Sequence, residues 1–257
     1  MSWHENWIAF LTILNKEVTR FLRIWQQSIF PPVITTALYF IIFGNLIGPR
    51  IGEMAGHTYM DFIVPGLILL SVITNSYANV SSSFFSAKFQ RSIEELQVAP
   101  VPNNIILLGY VGGGVLRGLT VGIVVTLVSL FFSKLSIHNF YVTVAVILLT
   151  AVLFSLAGFL NGMFAKKFDD VTIVPNFILT PLTYLGGIFY SIKLLPEFWQ
   201  SVSHINPVLY MINGFRYGFL GVSDINLSTS FILITAFCVI LFIVNLKLLN
   251  RGYGIRQ

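Results

Sequence analysis

Val144-Ala145-Val146-Ile147-Leu148-Leu149 are six apolar residues in unbroken succession, within a stretch from Leu135 to Ala165 that contains no Asp, Glu, Lys or Arg. A membrane-barrel strand would alternate outward-apolar with inward-polar positions over about 10 residues. This stretch does not alternate, and it exceeds the roughly 20 apolar residues a helix needs to cross hydrocarbon. It reads as a membrane-spanning helix. Working outward, Ile29–Gly48, Phe62–Ala87, Val171–Ile192 and Ile225–Leu246 are equally free of charge, and Asn104–Ser133 carries only Arg117. Six spans follow, and an all-α polytopic membrane protein is the expected fold class.

The whole composition agrees. Of 257 residues, 56% are hydrophobic, 15% aromatic and only 10% charged, and the mean hydropathy is +0.83. Soluble domains carry roughly 25% charged residues, so a soluble enzyme, a disordered chain and a nucleic-acid-binding protein are all disfavoured. The net charge of +5 comes from few groups, and their positions say more than their sum. No composition break or linker marks a second domain, so residues 1–257 are read as one membrane domain.

One further uncharged stretch, Phe198–Phe215, is not counted as a span. It contains Gln200, Ser201, Ser203, His204, Asn206 and Asn213, with Pro207 near its middle. Broken helices survive at membrane depth only where protein or water covers their backbone. Two short re-entrant helices within 195–221 are expected, with a seventh crossing as the alternative.

Six spans place both termini on one side. That side collects Lys16, Arg20, Arg23, Lys88, Arg91, Lys166, Lys167, Lys247, Arg251 and Arg256, against Arg50, Lys134, Lys193 and Arg216 on the other. The positive-inside rule makes the richer side cytoplasmic. The bacterial inner membrane is the expected location. No cleavable signal peptide is recognisable at the start of the sequence.

Residues 3–27 read as an amphipathic helix. Trp7, Leu11, Leu14, Val18, Leu22 and Trp25 recur at steps of three and four, while Thr12, Lys16, Arg20, Arg23 and Gln27 take the opposite face. Such a helix lies in the headgroup plane or packs on the cytoplasmic end of the bundle. Pro31-Pro32 is expected to bend the chain into the first crossing. Between spans two and three, residues 88–102 contain Ser92 and Glu95 at capping-box spacing and end in Pro100 and Pro102, which predicts a short charged helix.

Several chemistries lack residues. No acid lies within a span, which disfavours proton- or sodium-driven transport. His4, His57, His138 and His204 are scattered, and the single Cys238 cannot form an intramolecular disulfide, so no metal or cofactor site is expected. No lysine follows a glycine, so a phosphate-binding Gly-Lys-Ser/Thr loop is absent. Catalytic residues are not found. Any ATP-driven work requires another polypeptide. Arg117, in the inner half of span three, either snorkels to the headgroups, packs on a carbonyl, or meets a phosphate of a substrate.

These features together resemble the permease subunits of ABC-2 type exporters. Asp61-Phe62-Ile63-Val64-Pro65-Gly66 resembles the Pro-Gly opening of span two. Arg91 through Pro100-Val101 resembles the coupling segment. Gly186-Gly187-Ile188-Phe189-Tyr190, Leu195-Pro196, Asn206-Pro207 and Gly214-Phe215-Arg216 resemble the motifs from span five into the re-entrant helices. The resemblance implies a homodimer that docks one ABC ATPase subunit per permease on its cytoplasmic face, with ATP and Mg bound by that partner. Contact would pass through Arg91, Glu94, Glu95, Leu96 and Pro100.

Two polar stripes are candidates for lining the pathway. Asn75, Asn79 and Ser82 share a face of span two, and Asn176, Thr180, Thr183 and Tyr184 recur at helical spacing in span five. Small polar residues also hold membrane helices together, and both readings stand. Pro175 and Pro181 are expected to kink span five. With no charge within the spans beyond Arg117, the expected substrate is amphipathic, lipid-linked, glycan or drug-like, carried by an exporter. An ATP-independent channel and a non-transporting scaffold are the alternatives.

Overall fold

The structure is a computed structural model that describes residues 2–93 and 98–253. Helix α1 (Trp3–Arg23) opens with Ser2 as its cap. The Glu5 N–H donates to Ser2 Oγ at 3.3 Å, and the Ser2 N–H donates to Glu5 Oε2 at 2.8 Å. This reciprocal pair satisfies two amides that would otherwise be unbonded. The helix ends at Ile24 (φ −109°, ψ 32°), and α2 (Trp25–Ile51) starts at the next residue. The bend therefore sits at Ile24 and not at Pro31-Pro32, which lie inside α2. Proline's fixed φ suits a helix, and here its missing N–H is accommodated without breaking the path. From Phe40 to Ile47 the helix widens to π geometry.

A two-residue hairpin, β1 (Glu53–Met54) with β2 (His57–Thr58), turns the chain back. Helix α3 (Tyr59–Phe89) follows and is the axis of the molecule, buried on nearly all sides. Around it pack α4 (Asn103–Ser129), α5 (Phe140–Phe164) and α8 (Pro207–Leu220). Helix α4 can approach so closely because of its glycines. A Cβ on Gly122 would meet Val72 Cγ2 at 2.7 Å, and Gly114 and Gly118 face Val80 and Ser76 in the same way. Glycine removes the spacing that side chains impose between membrane helices.

The predicted fifth span is helical over residues 168–185, shorter than expected. It runs as α6 (Phe168–Val174), a π segment (Pro175–Leu179) and a further α-helical piece (Thr180–Leu185). The predicted kink is thus a π segment, which absorbs the amide lost at Pro175. Gly187, at φ 78°, ends this helix. Residues 198–215 form two helices, α7 (Glu197–Ile205) and α8, broken at Asn206 with Pro207 in the first turn of α8. Asn206 serves both sides of the break. Its Oδ1 accepts the Val208 N–H at 3.0 Å, and its Nδ2 donates to Leu182 O at 2.6 Å. Helix α9 (Leu227–Asn250) closes the bundle.

Among the described residues five helices, α2, α3, α4, α5 and α9, are long and apolar enough to cross a membrane. The exterior supports a lipid setting. Ile34, Leu46, Ile123, Phe177, Ile232 and Ile240 are each more than half exposed, an apolar surface that water would penalise heavily. At one end of the bundle Lys88 Nζ donates to Met163 O (2.9 Å) and Ala165 O (2.6 Å), neutralising the free carbonyls where α5 stops. Asn103 and Asn250 meet at the same end, 2.8 Å apart.

Candidate functional site

Helices α2 and α3 and the 168–185 segment enclose a cleft of about 300 Å³ at mid-depth. Its walls mix apolar and hydroxyl-bearing side chains: Thr35, Thr36 and Tyr39 from α2, Ser71, Thr74 and Asn75 from α3, and Thr180, Thr183 and Tyr184 opposite. The walls are cross-linked by two contacts. The Thr36 and Ser71 hydroxyls are 3.4 Å apart, and those of Tyr39 and Tyr184 are 3.0 Å apart. Most of the other hydroxyls donate back to their own helix, as Thr74 Oγ1 does to Leu70 O and Thr183 Oγ1 to Thr180 O. The cleft presents their oxygen acceptors and leaves few donors unpaired.

Four of the seven predicted lining residues, Asn75, Thr180, Thr183 and Tyr184, meet in this cleft. Three do not. Asn176 is exposed and does not line it, lying in the π segment one turn before Thr180. Thr180 Oγ1 correspondingly reaches Pro175 O, five residues back. Asn79 and Ser82 lie one and two turns beyond the cleft on α3. Asn79 is fully buried, and the Ser82 hydroxyl donates to Ala78 O at 2.7 Å.

Asn79 belongs instead to a buried polar cluster next to the cleft. Arg20 Nη2 donates to Asn79 Oδ1 at 2.7 Å, to Asn79 O at 2.9 Å and to Glu17 Oε2 at 3.2 Å. Ser83 Oγ donates to Glu17 Oε1 at 2.6 Å, and Glu17 is wholly buried. Arg117 approaches from α4, with Nη1 3.5 Å from Asn79 Oδ1 and Nη2 3.4 Å from Asn75 Oδ1. Arg117 thus turns to asparagine side chains of α3 rather than to a backbone carbonyl. Two guanidiniums and one carboxylate meet where the sequence suggested that only Arg117 was present. Glu17 and Arg20 come from α1, ahead of the first span, so they add charge to the bundle that the spans themselves do not carry.

The missed pair is Glu17 and Arg20. On a helical wheel Arg20 falls with the wet residues, but the packed face of α1 is centred on Ile13, Glu17 and Phe21. That face fits against α4 because Gly109, Gly112 and Gly113 offer no side chains. A Cβ on Gly109 would be 2.6 Å from Ile13 Cγ2, one on Gly112 would be 2.9 Å from Leu14 Cδ1, and one on Gly113 would strike Glu17. The run Gly112-Gly113-Gly114 was the available signal. Helix α1 is therefore three-sided: packed at Glu17, outward-apolar at Trp7, Leu11 and Leu22, and polar at Thr12, Lys16 and Arg23.

In the coupling segment, Arg91 and Pro100 are exposed, and Arg91 takes a left-handed conformation at φ 59°. Ser92 Oγ donates to Ala87 O at 3.2 Å. Glu94, Glu95 and Leu96 lie outside the described residues. Among the described residues no three His, Cys, Asp or Glu side chains converge as metal ligands would.

The family model described as ABC-2 type transporter matches residues 8–220. The inner membrane transport permease YadH of Escherichia coli K12 is 62% identical over 254 residues, covering 99% of each chain. The same identity and coverage hold for the protein of that name in Shigella flexneri. Nodulation protein J of Neorhizobium galegae is 21% identical over 249 residues, covering 96% of this chain and 93% of its own.

Proposed function

The chain belongs to the ABC-2 type transporter family, and on that premise we propose that it is the membrane-spanning permease subunit of an ATP-driven exporter. It crosses the inner membrane six times, with residues 168–185 as the fifth crossing, α7 and α8 re-entrant, and both termini in the cytoplasm. Two copies form the pathway, and each docks a separate ABC ATPase around Arg91, Glu94, Glu95, Leu96 and Pro100. ATP and Mg are bound by that partner.

The observation that carries this reading is the hydroxyl-lined cleft of α2, α3 and the 168–185 segment. On α3, otherwise enclosed, the open strip is Thr74, Ala78 and Ser82, at steps of four. A second copy facing that strip would enclose a passage lined by small polar groups. Mixed walls of this kind suit a molecule with hydroxyls and apolar parts. An amphipathic, lipid-linked, glycan or drug-like cargo fits, and the half-buried guanidiniums of Arg20 and Arg117 add tolerance for an anionic group beside the cleft.

The mechanical route suggested by the packing runs from α1 and the coupling segment into α3. Arg91 and Ser92 follow the end of α3 directly, and Arg20 grips the same helix at Asn79. A force applied at the cytoplasmic end would move α3, and with it one wall of the cleft.

The test is co-purification of the full chain with candidate ABC ATPase subunits from the same organism, followed by ATP turnover in proteoliposomes. The exporter reading expects a stable complex whose ATP turnover is uncoupled by Glu94→Ala together with Glu95→Ala. A chain that binds no ATPase, or that moves solute uphill when reconstituted alone, overturns it.

A further inference from the structure

We propose that a second pocket, at the hairpin end of the bundle, binds an oxyanion: a phosphate group, free or on a lipid headgroup. The pocket has a volume of about 310 Å³, with Arg216, Lys193, Asp224, Ser223, Phe62 and Ala55 among its walls. It lies at the opposite end from Lys88, Asn103 and Asn250, and it is separate from the cleft and from the coupling segment.

Arg216 is the centre of the site. It is only 1% exposed. Its guanidinium carbon stands 3.8 Å over the Phe62 ring, and Nη2 donates to Gly187 O at 2.6 Å. Its Nε has no hydrogen-bond partner. A guanidinium carries five N–H donors, and burying one with this few acceptors is costly unless something else occupies the remaining directions.

The nearby carboxylate does not fill that place. Asp224 accepts from Ser191 Oγ at 2.8 Å and from the Ile192 N–H at 3.2 Å, and it forms a long ion pair with Lys193 Nζ at 3.8 Å. It makes no ion pair with Arg216 among the described residues. Two cations and one carboxylate line the pocket, and the carboxylate faces Lys193 rather than Arg216, leaving the pocket one positive charge in excess. Among the described residues, the backbone N–H groups of Val222 and Ser223, just after the left-handed Gly221 (φ 73°), donate to no atom of the chain. A planar guanidinium, a mobile ammonium and free amides after a left-handed turn are groups that recognise phosphate oxygens.

The experiment uses the full chain purified in a neutral detergent. Its thermal unfolding is followed against inorganic phosphate, with chloride at equal ionic strength as the control. A second arm uses nanodiscs of phosphatidylglycerol against digalactosyldiacylglycerol, whose headgroup carries no phosphate. The expected result is a saturable rise in unfolding temperature with phosphate, with phosphatidylglycerol, or with both. A response to phosphatidylglycerol alone identifies the headgroup as the source, and a response to phosphate identifies the free ion.

Lys193 is 69% exposed at its side chain, so Lys193→Gln leaves folding intact and is expected to weaken the response about fivefold. Arg216→Lys keeps the charge but loses the fork, and is expected to weaken it at least about tenfold if the variant folds. No rise in either arm for the unaltered chain overturns the proposal. So does a rise that Lys193→Gln leaves unchanged. Neither readout involves an ATPase, so failure here leaves the exporter reading where it stands.

Discussion

Arg20 Nη2 lies 2.7 Å from Asn79 Oδ1 and 2.9 Å from the Asn79 carbonyl oxygen, so a single guanidinium of α1 holds both the side chain and the backbone of α3. Glu17, one turn earlier, supplies the counter-charge at 3.2 Å and is itself held by Ser83. The N-terminal helix is thereby fastened to the axis of the bundle by charge-assisted bonds in a water-poor setting. Such bonds are stronger than neutral ones, and their loss is correspondingly severe.

Removing Arg20 leaves the Glu17 carboxylate buried without its partner. Breaking a buried pair from one side costs about 3–5 kcal/mol, and with the Arg20 side chain 31% exposed the loss here falls at the lower end of that range. Arg20→Gln is expected to lower the unfolding temperature sharply, whereas the double variant Arg20→Gln/Glu17→Gln loses less than the sum of Arg20→Gln and Glu17→Gln. Thermal unfolding of the four proteins, arranged as a double-mutant cycle, measures the coupling directly. Additive losses would mean that the pair does not act as a unit.

Gly113→Leu attacks the same junction sterically. The added side chain enters the space that Glu17 occupies, and no flexible tip is available to yield. Overpacking of this kind costs about 1–3 kcal/mol, and here the relief is for α1 to lift away. Limited proteolysis should then cut α1 in detergent while the rest of the bundle persists. Leu127, which is exposed on the outer side of the same helix, provides the control: Leu127→Ile should leave the cleavage pattern unchanged.

Much of this architecture is visible in the order of residues. Hydropathy locates the crossings because twenty apolar residues have few other uses, and Asn206-Pro207 announces a helix break because a cap and an N1 proline do the same job in many folds. The cleft was legible where helical spacing held, at Asn75, Thr180, Thr183 and Tyr184. It failed at Asn176, one turn short of the cleft, and no propensity distinguishes Pro175 in a kink from Pro175 in a π segment. The α1 site failed for another reason. A helical wheel sorts side chains by polarity, and Glu17 and Arg20 are polar residues whose partners lie on two other helices. Their inward turn depends on the flat glycine surface of α4, a tertiary property.

At the start of α6, just ahead of the uncharged stretch that begins at Val171, the Asp170 carboxylate accepts the N–H groups of Lys166 (2.8 Å) and Lys167 (3.0 Å). These bonds hold its pKa below the ordinary value of 3.8. A depressed carboxylate contributes stability that is complete above its unfolded pKa and is lost as pH falls through the folded one. The turn should therefore be firm at neutral pH and loosen only below about pH 3.8. Protection factors of the Lys166 and Lys167 amides between pH 5 and 2.5 report this, with Asp170→Asn expected to remove the acid step.

Thr74 offers the cleanest way to close the cleft without disturbing the core. It lines the cleft yet is exposed, and its hydroxyl bonds only to its own helix, at Leu70 O (2.9 Å) and Ser71 O (3.2 Å). Thr74→Trp adds a ring into open space, so the stability change should stay within about 1 kcal/mol. If cargo passes along this wall, transport falls by an order of magnitude or more while the ATPase still binds and turns over ATP. Tyr184→Phe is the matched mild change. It deletes the 3.0 Å contact with Tyr39 Oη, a neutral bond worth about 0.5–1.5 kcal/mol, and it should alter cargo preference more than rate. Transport by Thr74→Trp at the unaltered rate would place the passage elsewhere in the bundle.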